Sequence, residues 1–165
     1  MREVNMKLYI KQKAFSFGDK FFVKDEYECD KYYVEGEVFT LGKKLHVYDS
    51  DNSEVMYISQ RPFAFMPKVD IYINDTLIGT LIKEFTFFSQ IYTLEGPSWD
   101  IEGDFMAHDY HMTKDGSIIA TVEKEWFTWG DSYALEVNDP SDELTALGVL
   151  LAIDVVNAAQ AAAAN

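Results

Sequence analysis

Bulky apolar residues recur along the chain in the pattern φ-x-φ-x-x-x-φ-x-φ, where φ is large and apolar. The pattern runs through Phe15, Phe17, Phe21 and Val23, then Phe39, Leu41, Leu45 and Val47, then Phe63, Phe65, Val69 and Ile71. A fourth copy, Phe85, Phe87, Ile91 and Thr93, ends on a polar position. The fifth, at Phe105 and Ala107, is degenerate, with Tyr110 one residue early, and the sixth is Phe127, Trp129, Tyr133 and Leu135. The lead positions 15, 39, 63, 85, 105 and 127 recur at a nearly constant interval, which indicates repeated supersecondary units. Alternation of φ and x is the signature of a strand buried on one face. The three-residue inserts carry turn chemistry, as in Gly18-Asp19-Lys20, Gly42-Lys43-Lys44, Met66-Pro67-Lys68 and Gly130-Asp131-Ser132. Each unit therefore predicts two strands, and six units predict about twelve.

Further turn signals lie between the units: residues 49–53, Asn74-Asp75, Gly96-Pro97-Ser98 and Lys114-Asp115-Gly116, the last a strong hairpin signal. No sustained 3.6-residue period occurs before residue 140. Residues 6–137 are expected to form an antiparallel meander, and closure into a barrel would remove its exposed edges.

The pattern changes at Asp139-Pro140-Ser141-Asp142-Glu143, where a capping side chain, a first-turn proline and acidic residues signal a helix start. A helix is expected over 141–160. Leu144, Leu147, Leu151 and Val155 form one face, Val149, Ile153 and Val156 another, and Gly148, Ala152 and Ala159 a stripe open to close approach. A helix apolar all round is buried in a core or in a membrane. A membrane span needs about 18 or more apolar residues, whereas the run from Ala146 to Ile153 stops at Asp154. No transmembrane segment is expected. The segment predicts a central helix enclosed by the strands, so the fold class is α+β, mostly β, in one domain spanning 1–165.

Composition fits a packed core: 48% of the residues are hydrophobic and 15% aromatic. The net charge of −14, with no basic cluster longer than Lys43-Lys44, argues against nucleic-acid binding and disfavours peripheral contact with anionic membranes. The single cysteine, Cys29, excludes an intrachain disulfide framework. The start of the sequence shows no signal-peptide pattern, and a cytoplasmic location is expected. Asn74-Asp75-Thr76 matches a glycosylation sequon but is expected to be a turn.

Several segments together resemble the LURP-one-related family, within the tubby-like and phospholipid-scramblase-like group. They are residues 11–17 (KQKAFSF), 33–39 (YVEGEVF), 42–49 (GKKLHVYD), 99–105 (WDIEGDF), 124–129 (KEWFTW) and 150–154 (LLAID). The resemblance runs from about residue 6 to residue 157. It implies a twelve-stranded barrel around a central apolar helix. Tubby proteins bind phosphoinositides through basic surface residues, and scramblase-like relatives are linked to membranes, palmitoylated cysteines and calcium. No segment here matches the basic site or a cysteine-rich stretch, so no ligand residue is carried over.

Candidate chemistry is sparse. Residues 49–54 begin like a calcium loop, but Glu54 and Gln60 stand where the EF-hand pattern wants Gly and Glu. A solvated turn is expected. His108 and His111, three apart on a strand, would point to opposite faces and not converge on a metal, and His46 belongs to another repeat. Glu102 and Asp104 would share a strand face, the minimal geometry for acid–base work, and a solvated face accounts for them equally. Asp154 is expected to be a buried carboxylate satisfied by backbone donors or by a basic partner near the barrel rim. No catalytic, cofactor-binding or metal residue and no cofactor is assigned. The expected function is a non-catalytic binding or scaffold domain recognising an unidentified protein or a lipid headgroup. The alternatives are a small-molecule carrier or enzyme with a pocket at one barrel end, and scramblase-like membrane lipid association.

Overall fold

The computed structural model of the chain describes residues 5–11, 20–38, 40–127 and 130–164. Twelve strands follow in order: β1 (Met6–Lys11), β2 (Lys20–Lys24), β3 (Asp30–Gly36), β4 (Lys44–Tyr48), β5 (Glu54–Gln60), β6 (Lys68–Ile73), β7 (Thr76–Phe85), β8 (Gln90–Glu95), β9 (Trp99–Asp104), β10 (Asp109–Lys114), β11 (Ser117–Phe127) and β12 (Gly130–Val137). Each pairs antiparallel with its sequence neighbours, and β1 closes the barrel against β12 in the register Met6↔Val137 to Lys11↔Ser132. Closure leaves no edge strand to recruit another chain.

Alternation decides which side chains face inward. Leu8 and Ile10, Leu45 and Val47, Met56 and Ile58, Val69 and Ile71, and Leu135 and Val137 are fully buried, and the residues between them reach the outer wall. Leu45, Val47, Val69, Ile71 and Leu135 are second-half positions of the repeat units, as expected, whereas Leu8, Ile10, Met56, Ile58 and Val137 lie outside the pattern. In β8 the expected register is wrong by one: Tyr92 and Leu94 are the buried residues, while Ile91 and Thr93 face outward. A one-residue slip exchanges the two faces of a strand, and burial of the Tyr92 ring decides the register here.

The chain then makes one 3-10 turn, Pro140–Asp142, and the helix α1, Glu143–Ala163. Asp139 caps the turn by accepting from the Ser141 backbone N–H, and Pro140 occupies the first turn, as the start signals predicted. The α-helix itself begins two residues later than expected and runs three residues further, since nothing in the alanine-rich end breaks it. Every residue from Ala146 to Val156 is buried inside the barrel. Pro140–Ala163 is long and apolar enough to cross a membrane by composition, but 61% of its 18-residue apolar window is buried inside the barrel. At Gly148 a β-carbon would lie 2.9 Å from Ile71 Cγ2 and 3.1 Å from Met56 Sδ, so the missing side chain lets the helix sit close to β5 and β6. Ala152 is buried as well, whereas Ala159 has left the barrel and is exposed.

The up-and-down order places alternate connections at opposite ends. One end, where α1 enters, holds the tight turns predicted at 49–53, Asn74-Asp75, 96–98 and Asp115-Gly116. Asn74 and Asp75 have φ of 47° and 63°, and Asp115 and Gly116 of 50° and 78°, the left-handed pairs of two-residue hairpins. Lys31 and the Tyr32 hydroxyl hold the helix start there through Glu143, at 2.8 and 2.6 Å. At the other end, α1 leaves the barrel.

Candidate functional site

Among the described residues of the leading pairs, only Phe85 and Phe127 lie in strands, each as the last residue. Phe63 and Phe65 lie in the β5–β6 connection, Phe87 in the β7–β8 connection, Leu41 in the β3–β4 connection and Phe105 in the β9–β10 connection, all at the end where the helix leaves. Phe85 is the last residue of β7. Phe15, Phe17, Phe39 and Trp129 lie outside the described residues. Alternation predicted a buried strand face for these pairs. Instead Phe63, Phe65, Phe87 and Phe88 are 91%, 100%, 101% and 99% exposed, and Leu41, Phe85 and Met106 are also largely exposed. Among the described side chains of these pairs Phe105 turns inward, its ring edge-on to Tyr92 at 4.6 Å. A period-2 pattern with loop residues between strands mimics a longer hairpin, which is why the sequence did not separate the two.

Local bonding holds these tips out. Arg61, at the base of the β5–β6 loop, donates two hydrogen bonds to Asp70, each 2.8 Å long, and Thr80 donates a third at 2.7 Å. Burial alone would raise the Asp70 pKa, but the bonds from Arg61 and Thr80 bring it below the ordinary carboxylate value. In the β7–β8 turn, Thr86 and Ser89 close on each other through backbone and side-chain bonds, leaving Phe87 and Phe88 at the apex. The β3–β4 loop is fixed by Thr40 Oγ1 donating to Gly42 O at 2.7 Å. Gly42 (φ 76°) packs so close that a β-carbon would meet Gln60 O at 2.4 Å.

Beneath the tips lies a polar layer around the emerging helix. His108 Nε2 donates to Asp154 Oδ1 at 2.9 Å, and the Tyr133 hydroxyl donates to Asp154 Oδ2. The His108 and Tyr133 rings stack at 4.1 Å. Burial, then the Asp154 charge, pushes the Tyr133 hydroxyl well above its usual pKa, so it stays a donor. His108 is the basic rim partner expected for Asp154, while Tyr133 was not foreseen. The expectation that His108 sits on a strand is corrected: it lies in the β9–β10 connection at φ 52°, which turns it inward, while His111 on β10 faces the outer wall. Lys83 also belongs to this layer. It shares an inward face with Leu81, lies buried with Nζ 5.6 and 5.7 Å from the Phe85 and Tyr92 ring centres, and has no carboxylate partner among the described residues. Burial lowers its pKa. Its phase with Leu81 was the available signal.

Glu102 and Asp104 are exposed, and Asp104 accepts from the Ala107 backbone N–H at 3.0 Å. Together with His111, Gln90, Asn157 and Gln160 they line a cleft of about 650 Å³ beside the emerging helix. Residues 49–53 form a solvated turn in which Asp49 accepts from the backbone N–H groups of Asp51 and Ser53. No cluster of His, Cys, Asp and Glu suited to a metal ion occurs among the described residues. His46 bonds Glu37 at 2.7 Å and Glu54 at 2.8 Å on the outer wall. Around it Phe22, Tyr33, Tyr48, Tyr57 and Tyr72 form a cross-strand aromatic ladder that braces β2 to β6.

The chain is 31% identical over 151 residues to the uncharacterized protein YxjI of Bacillus subtilis (strain 168), a match covering 92% of this chain and 93% of that one. A solved structure of a protein from Arabidopsis thaliana superposes with a TM-score of 0.62 at 17% identity, covering 94% and 93% of the two chains, and so shares the fold. The family model for LURP-one-related proteins matches residues 6–154, from the first strand to the buried aspartate of the helix, and the chain belongs to that family.

Proposed function

We propose that the protein is a non-catalytic binding domain whose working face is the end of the barrel where α1 emerges. The observation that carries this reading is the full exposure of Phe63, Phe65, Phe87 and Phe88 on loops that are otherwise hydrogen-bonded and held in place. Folding drives side chains of this size inward, and four large apolar side chains left exposed at one end mark an interaction site. The lumen is filled by the helix, which leaves the outer surface and the rim to do the recognising. The cleft lined by Glu102, Asp104 and His111 adjoins the same end and is where the carrier or enzyme alternative would act.

Fractionation of native cell extract tests the face. The wild-type protein is expected to distribute into a bound or particulate pool, and Phe65→Ser with Phe87→Ser is expected to return it to the free pool. Identical fractionation of wild type and variant would remove the aromatic end as the working face.

A further inference from the structure

We infer that the aromatic end docks into the interface of an anionic lipid bilayer, a conclusion that rests on this end being the working face. Three observations point to a bilayer in place of a protein partner. First, the tips stand apart: among the four, only Phe87 and Phe88 approach each other, at 6.5 Å, and each is solvated on nearly all sides. A protein interface meets such a face with packed, shape-matched surface, whereas the fluid boundary of headgroups and acyl chains closes around separate rings, and aromatic side chains favour that depth.

Second, charge is segregated along the barrel axis. The six connections at the helix-entry end carry nine Asp and Glu and no Lys or Arg. The described connections at the aromatic end carry one acid, Glu37, against Lys43 and Arg61. Lys11, Lys20, Lys44 and Lys68 stand at the strand ends beside them, against the strand-end acids Asp104 and Asp109, with Glu84 and Glu35 (the latter paired with Lys20) one residue further in. The enclosed part of the helix, from Glu143 to about Asn157, separates the two poles by about 20 Å at 1.5 Å per residue. Screening acts over about 8–10 Å at physiological salt, so a membrane at the aromatic end meets the local basic rim and not the net charge of −14. The expected repulsion from anionic lipid rested on the net charge and on the short basic runs in sequence, whereas the fold gathers separate lysines at one end.

Third, the helix reaches this end uncharged: from Val155 to Ala164 it holds only Val, Ala, Asn and Gln. Docking against a second copy would instead set two basic rims face to face.

Flotation of the full chain with phosphatidylcholine vesicles, with and without phosphatidylserine, tests the inference. The wild-type protein is expected to float with the serine-lipid vesicles, and less as salt rises. Phe65→Ala and Phe87→Ala are each expected to lower partitioning about tenfold without changing the melting temperature, because both rings are fully exposed. Lys44→Glu with Lys68→Glu is expected to abolish the preference for phosphatidylserine. A wild-type protein that ignores both vesicle types, or phenylalanine variants that float unchanged, would overturn the bilayer. If the native fractionation still responds to Phe65 and Phe87 while vesicles are ignored, the working face stands and its partner is a protein. Concentration-dependent dimers in sedimentation, lost in Phe87→Ala, would identify that partner as a second copy.

Discussion

Replacing Tyr133 by Phe removes one oxygen atom from the interior of the barrel and little else. The ring keeps its stack on His108 at 4.1 Å, and the burial of the side chain is unchanged. What is lost is the hydroxyl bond to Asp154 Oδ2, leaving that carboxylate with His108 as its remaining hydrogen-bond donor. A hydrogen bond to a charged group contributes about 1.5–3 kcal/mol, so Tyr133→Phe should destabilise the fold by about that amount. For a domain of this size the melting temperature falls by about 2–4 °C per kcal/mol. Urea titration at neutral pH, followed by tryptophan fluorescence, reads the change as a lower midpoint with an unaltered slope. A second variant separates the bond from the residue. Asp154→Leu alone strands the Tyr133 hydroxyl and His108 Nε2, at about 1–3 kcal/mol for each orphaned group. Made in the Tyr133→Phe background it strands only one, so the two changes should couple by about 1–3 kcal/mol. A Tyr133→Phe protein with the wild-type midpoint, or strict additivity of the two changes, would refute the assignment of Tyr133 as the donor that holds Asp154. Since the pair lies beneath the tips, vesicle flotation should survive both substitutions at temperatures where the variants remain folded.

The remaining predictions concern packing and pH. Gly148→Val should destabilise by about 1–3 kcal/mol in chemical denaturation through overpacking against Ile71 and Met56, whereas Gly148→Ala should come out near neutral because alanine regains about 1 kcal/mol of helix propensity. Acid titration should reveal the Asp70 clamp. Its pKa is lowered by Arg61 and Thr80 against the effect of burial, so its contribution is present above the ordinary value of 3.8 and disappears as pH falls through the lower folded value. The difference in urea midpoint between wild type and Asp70→Asn should therefore shrink in acid. His46 behaves in the opposite sense. Burial opposes its charge, but Glu37 and Glu54 outweigh burial and raise its pKa above 6.5. Its contribution is complete below 6.5 and fades as pH rises through the folded value, so His46→Gln should differ from wild type more at pH 5 than at pH 9.

The enclosed helix and the second strand of most units were legible in periodicity, whereas the count of twelve came out right although most described first-half pairs are loops and the other strands lie between the units. Leu45 and Val47, Val69 and Ile71, and Leu135 repeat at matching places in their units, and a helix apolar on every face has to be surrounded. Asp154 was legible as a buried carboxylate because it interrupts an apolar run. Its donors were not, since His108 and Tyr133 lie 46 and 21 residues away in sequence and only the closed barrel brings them to one place. The aromatic tips were visible as a repeat and misplaced as strands. Hydrophobicity marks what avoids water without stating whether its own fold or another surface will take it, and Phe65 and Ile71 carry the same sign in sequence but opposite fates in the fold.

The closure of the barrel has a consequence for how the chain acquires its shape. Met6 pairs with Val137, and the residues that fill the lumen follow both. Sequential hairpins such as Asn74-Asp75 can zip locally as they are made, but their inward faces have nothing to cover them until Ala146 to Val156 arrive. Long-range closure of this kind is slow, in the range of milliseconds to seconds, and until then the lumen-facing side chains stand open to solvent. The helix, which follows every strand in the chain, therefore acts on the rest as a template from within. Refolding should show an early sheet signal followed by a later, cooperative burial of Trp99, the largest side chain of the finished core.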